Sequence, residues 1–195
     1  MDKVDRRVRR THTSLHKALT SLALEKNYDS ITVQEVLDRA DVGRSTFYTH
    51  FQSMDEVLVS GPQELRGILS SALEQQRKSA KRHECVIAFS RAMFEHAYGY
   101  RNVYFALLNT RAWPIVRRSL QGILEELIQR ECKAEIAKLK TAKSEVPVDL
   151  FIHYLTAAFF AVLMWWMDRR SRLTPAQIDE VFRSLVLPTV HAVLG

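Results

Sequence analysis

From Arg44 to Phe51 the chain reads RSTFYTHF. Phe47 and Phe51 stand at i and i+4, so a short helix can bury both on one side. Arg44, Ser45, Thr46, Tyr48, Thr49 and His50 then stand outward. A guanidinium, a phenol, an imidazole and hydroxyls in one patch are hydrogen-bonding groups of the kind that meet phosphates and base edges. Catalysis finds less support. Gly43-Arg44-Ser45-Thr46-Phe47 begins like the G-x-S-x-G nucleophile elbow, but Phe47 stands where the last Gly belongs and no strand precedes it. No P-loop, dinucleotide fingerprint or recognisably spaced pair of catalytic carboxylates occurs, so the chain is not expected to be an enzyme. His12 and His16, at i and i+4, could share a metal, yet no carboxylate accompanies them in the H-E-x-x-H manner, and no metal site is expected.

The elements that must position this patch are clearly punctuated. Thr32 and Glu35 have the S/T-x-x-E/Q spacing of a capping box, which opens a helix near Val33. Val33, Val36, Leu37 and Ala40 give that helix one apolar face. Asp41, which tolerates the left-handed region, and Gly43, a suitable N-cap, break it and open the short helix. Ser53 and Glu56 repeat the capping-box spacing and start a third helix. Upstream, about Thr11 to Lys26 reads as a helix with Leu15, Leu19 and Leu22 on one stripe. Lys3, Arg6, Arg7, Arg9, Arg10 and Lys17 face only Asp2 and Asp5, a basic arm able to grip phosphate or, over its first five residues, a solvated terminus.

ITVQEVLDRADVGRSTFYTHFQSMDEVL, with T-F-Y-x-H-F as its most specific part, resembles the N-terminal signature of the tetracycline-repressor (TetR) family of transcriptional regulators. The resemblance covers roughly Arg7 to Val59. Asp41 stands where the family usually has Gly, and Met54 where it usually has a phosphate-contacting Lys. The resemblance implies an all-α fold, with a three-helix helix-turn-helix head at residues 1–53 and a larger helical ligand-binding and dimerisation domain at 54–195. It further implies binding to double-stranded DNA, with Tyr48, His50 and Thr32 assigned mainly to phosphate. Arg44, Ser45, Thr46 and Thr49 are assigned to base edges or neighbouring phosphates. The function implied is a ligand-responsive regulator, a repressor in most of the family, acting as a homodimer on a palindromic site.

The rest of the chain accommodates that expectation. Its 195 residues suit a small domain joined to a larger one, and only 6 Gly and 5 Pro favour helix throughout. A formal net charge of +6 favours a polyanionic partner. Cys85 and Cys132 are isolated, without metal-ribbon or disulfide spacing, and no apolar signal segment follows MDKVDRRVRR, so a reducing cytoplasm is expected. A helix from Met54 towards Lys78 is expected to be disturbed at Gly61-Pro62. Others are expected from Cys85 to Tyr98 and from Pro114 to about Lys140, with a loop at LKTAKSEVP.

Between Phe89 and Trp113 aromatic residues accumulate, which suits either a plain core or a ligand pocket. The resembled family encloses a small molecule in its larger domain. Phe94, Tyr98, Tyr104, Trp113 and His153 are the candidate ligand-binding residues, for an unidentified effector and no cofactor. Leu150 to Met167 is apolar on all sides, and burial in a core and a subunit interface is favoured over a membrane span because His153 and Thr156 interrupt it. Thr174-Pro175-Ala176-Gln177 caps a last helix with Pro188 as an expected kink. Phe159, Leu163, Trp166, Phe182 and Leu185 are the candidate dimer-interface residues. The competing reading is a helical ligand-binding or enzymatic protein whose basic head is a protein interface.

Overall fold

A computed structural model describes residues 3–61, 63–77, 82–134, 136–137, 146–168 and 171–194. All regular structure among them is helical: α1 (Lys3–Glu25), α2 (Val33–Ala40), α3 (Arg44–His50), α4 (Met54–Ser60), α5 (Gln63–Arg77), α6 (Phe89–Gly99), α7 (Arg101–Leu107), α8 (Ala112–Glu131), α9 (Val148–Asp168) and α10 (Pro175–Leu194), with 3-10 turns at Tyr28–Ser30 and Arg82–Ile87. The end of the helix expected to reach Lys140 and most of the loop expected at 139–147 lie outside the described residues.

The chain divides into two compact units. One comprises Met1–Glu64 and Tyr100–Ser119, the other Leu65–Gly99 and Leu120–Gly195. This differs from a single cut between residues 53 and 54. The first unit keeps α4 and also takes α7 and the start of α8, because α7 packs on α1 and Leu107 and Ala112 join the same buried cluster as Leu15, Leu19, Phe47 and Val57. No cap or turn signal in the sequence announces a contact between segments so far apart.

In the first unit the local signals become structure. The Thr32 hydroxyl accepts from the Glu35 N–H, and the Glu35 carboxylate accepts from the Thr32 N–H at 2.9 Å, completing the box. Asp41 closes α2 in the left-handed region at φ 52°, its N–H donating to the Leu37 carbonyl. At α4 the Ser53 hydroxyl accepts from the Glu56 N–H, but the Glu56 carboxylate reaches back to the N–H of Gln52 rather than of Ser53. The helix expected from Met54 to Lys78 is two: α4 stops at Ser60, and α5 begins at Gln63. Gly61 lies close against the His16 ring, which a Cβ at this position would overlap unless the ring moved.

The second unit is built on bulk. Phe89, Phe94, Phe159 and Phe182 meet within 4.7 to 6.4 Å between ring centroids, and all four are fully buried. Burying aromatics of this size is the largest apolar contribution a side chain offers. Its polar exceptions are paired: the Ser90 hydroxyl donates to Asp179, and Glu84 forms an ion pair with Arg183. The Thr174–Gln177 box opens α10 as expected, and α10 continues through Pro188 to Leu194.

Candidate nucleic-acid interface

The turn from α2 to α3 is set by Asp41 and Gly43. Gly43 is the N-cap of α3 at φ −68° and contributes no side-chain cap. From there α3 turns Phe47 inward, fully buried between Tyr48 at 5.1 Å and Phe51 at 6.0 Å. Arg44, Ser45, Tyr48 and Thr49 are exposed, while Thr46 and His50 are half-buried. The reason is α1, which was expected to start near Thr11 but is helical from Lys3. Its second and third turns bring Arg7, Val8 and Thr11 opposite Ser45, Thr46, Thr49 and His50, leaving a cleft of about 330 Å³.

The exposed face is organised before any ligand arrives. The Arg44 guanidinium lies 5.9 Å over the Tyr48 ring, a cation–π arrangement that keeps both side chains on one side of α3. Thr49 donates its hydroxyl proton to the Ser45 carbonyl at 2.8 Å, so towards a ligand it offers lone pairs and a methyl group. Thr32 stands apart from this group at the start of α2, and its hydroxyl proton goes to Glu35. Met54, at the start of α4, is 6% exposed and belongs to the core.

Three carboxylates of the head are paired with cations away from α3: Glu25 with Arg39, Glu35 with Lys26 and Asp29 with Arg111. Asp55 accepts the phenol proton of Tyr28 at 2.9 Å, and burial together with that bond raises the Tyr28 pKa far above its ordinary value. Sequence reasoning missed Tyr28, whose partner lies 27 residues on. It also missed the role of His12. That imidazole sits 5.4 Å from His50 and 4.5 Å from Phe51, and burial followed by the proximity of His50 lowers its pKa. His16 turns instead to Gly61, so the i, i+4 pair serves two different packing contacts.

The five candidate ligand-binding residues are divided between the units. Tyr104 and Trp113 lie in the first, in edge contact at 5.8 Å. Phe94, Tyr98 and His153 lie in the second. Phe94 is buried among other aromatic rings; Tyr98 stacks on Trp166 at 6.1 Å and is 46% exposed; His153 is exposed beside Gln121 and Glu125.

Four of the five candidate dimer residues face inward. Phe159, Leu163, Trp166 and Phe182 are buried within the chain itself, and of the five Leu185 alone is exposed. A helix apolar on every side conceals which face meets its own core. The outward apolar residues are Leu150, Tyr154 and Trp165 on α9 with Val181 and Leu185 on α10, and the Tyr154 phenol lies 3.5 Å from the Thr189 hydroxyl. By length and composition α9 could cross a bilayer, but half of its apolar window is buried inside the protein.

Two family profiles match separate stretches of the chain. The profile described as "Bacterial regulatory proteins, tetR family" matches residues 15–60, and one described as "Transcriptional regulator C-terminal region" matches residues 86–187. The chain is 25% identical over 187 residues to the uncharacterized HTH-type transcriptional regulator YxbF of Bacillus subtilis, covering 92% of this chain and 45% of that protein. Thus it spans less than half the length of that relative. It is 23% identical over 180 residues to the HTH-type transcriptional repressor DhaR of a Mycobacterium species, covering 88% of this chain and 90% of the other. A crystal structure of a TetR-family regulator from Syntrophomonas wolfei superposes with a TM-score of 0.71 at 19% identity, covering 93% of this chain and 95% of that one.

Proposed function

Because the chain belongs to the TetR family of bacterial transcriptional regulators, we propose that it is a ligand-responsive repressor that binds a palindromic DNA site as a homodimer in the cytoplasm. The observation that carries the DNA reading is α3, which buries Phe47 and presents Arg44, Ser45, Tyr48 and Thr49 outward as one polar face. One seven-residue helix reads few base pairs. Two copies placed about 34 to 36 Å apart would enter successive major grooves on one side of the duplex, which is why a palindrome is expected. Tyr48 and His50 are assigned to phosphate. Arg44 is the leading candidate for a base edge, where a bidentate contact discriminates by about 1 to 3 kcal/mol.

The dimer is proposed to form through the outward apolar face of α9 and α10. A small-molecule effector is proposed for the second unit, where Tyr98 is the candidate aromatic that reaches the surface beside the buried rings. No catalytic step is assigned.

Selection of bound fragments from a random DNA pool by the purified protein, followed by salt titration of the winners, tests the reading. Recovery of two inverted half-sites is expected, with affinity falling steeply as salt rises. Arg44→Ala should relax the preference at one position of each half-site, whereas Tyr48→Phe should weaken binding to all sequences. Failure to recover any motif, together with absence of salt-sensitive binding, would refute it.

A further inference from the structure

The cleft between α1 and α3 has a composition that the α3 face does not explain. Among its lining residues there is no carboxylate. Thr11 donates its hydroxyl proton to the Arg7 carbonyl at 3.1 Å and Thr49 its own to the Ser45 carbonyl, so both threonines present acceptors and methyl groups. The donors that remain are the Arg7 guanidinium on one wall and the His50 imidazole on the other, with the Ser45 and Thr46 hydroxyls between. Arg7 makes no ion pair among the described residues, whereas Lys26, Arg39 and Arg111 are engaged by Glu35, Glu25 and Asp29. His50 is backed by the His12 ring, which limits its freedom to turn away. On the opposite flank the first turn of α4 carries Asp55 and Glu56, and Met54 is buried.

We propose that this cleft is a phosphate seat, in which one backbone phosphodiester of the bound duplex is held by Arg7 from α1 and His50 from α3, making α1 a DNA-contacting element. The inference rests on the DNA-binding reading above. A phosphodiester fits because it has two free oxygens, needs donors rather than acceptors, and pairs with guanidinium in a charge-assisted geometry. The continuity of α1 matters: a disordered arm would lose backbone entropy on binding, whereas the backbone at Arg7, already helical, does not.

The test uses the full-length protein and the palindromic duplex recovered by selection. Arg7→Ala should reduce affinity about 5- to 10-fold at moderate salt and lower the salt slope by about 0.9 per protomer, with the half-site preference unchanged. Arg7→Lys should keep the slope. Arg6→Ala, one residue away and outside the cleft lining, should change both less than Arg7→Ala. Duplexes with single neutral methylphosphonates should then identify one phosphate per half-site whose neutralisation weakens the wild type but costs Arg7→Ala and His50→Ala little more. If the wild type binds and no phosphate is coupled to Arg7, or Arg6→Ala matches Arg7→Ala, the seat is wrong while the regulator reading stands. If the wild type binds no duplex at all, both fall.

Discussion

The two units bury their cores by different means. In the first, the short helices α2 to α4 are held beside α1 by caps and a left-handed residue at their ends, and the core is a set of leucines, valines and two phenylalanines around Tyr28. In the second, long helices meet through large aromatic rings, with Phe159 touching Phe89, Phe94, Phe160 and Phe182. The contrast teaches where information resides. Caps fix which residue faces where within a few positions, so the outward face of α3 follows from its neighbours. Aromatic bulk supplies driving force without direction, and the face it turns inward depends on helices far away in sequence.

The strongest way to break this contrast is at Phe159. Removing a fully buried ring leaves a cavity that the surrounding rings cannot close, so Phe159→Ala should destabilise folding by about 3 to 5 kcal/mol, read by chemical denaturation. A loss below about 1 kcal/mol would mean that the aromatic cluster is not the core of this unit. Leu185, on the other side of the same pair of helices and 61% exposed, should behave in the opposite way. Leu185→Glu should leave the unfolding of the protomer within about 0.5 kcal/mol, as at other exposed sites. It should instead shift sedimentation from dimer to monomer at micromolar concentration. An unchanged dimer would place the interface away from α9 and α10.

These two residues also mark how far the sequence could be read. The capping residues Thr32, Asp41 and Thr174 act on backbone groups within four positions, and each occupies the place its local spacing implies. The polar face of α3 follows in the same way once Phe47 is known to turn inward. Phe159 and Leu185 both lie on apolar helix faces, and no local pattern separates them. Tyr104 and Trp113 are a similar case: their aromatic character was legible, but their membership of the first unit depends on α7 packing against α1, nearly a hundred residues upstream. The cleft at Arg7 was out of reach for a further reason. The basic terminus could be read as charge, but not as a helix continuous from Lys3.

A smaller effect is expected at Tyr28, whose phenol ties the 3-10 turn after α1 to Asp55 in the first turn of α4. Tyr28→Phe keeps the ring and removes only the donor. A hydrogen bond to a carboxylate is worth about 1.5 to 3 kcal/mol, and because Asp55 is only half-buried, water should restore part of it. A loss of about 1.5 kcal/mol in denaturation is expected. No measurable loss would show that the leucine and phenylalanine core alone sets the position of α4.

The smallest expected effect separates the units by pH. The Glu35 carboxylate of the first unit's capping box accepts from the Lys26 ammonium and from the N–H and hydroxyl of Thr32, which together lower its pKa from 4.5 to about 2. A depressed carboxylate stabilises the folded state fully above its unfolded pKa, and that contribution disappears as pH falls through the folded value. Glu35→Gln retains an acceptor for Thr32 and removes the charge. Its unfolding midpoint should therefore lie below that of the wild type at pH 6, approach it between about pH 4.5 and 2, and meet it below that. The second unit contains its own comparison, because the box opening α10 uses the neutral Gln177, whose side-chain oxygen accepts from the Thr174 N–H at 2.9 Å. Gln177→Ala should destabilise by an amount that does not vary across the same pH range. A pH-independent difference for Glu35→Gln would mean that the box holds by hydrogen-bond geometry alone and that its charge, and with it the ion pair to Lys26, contributes nothing to the head.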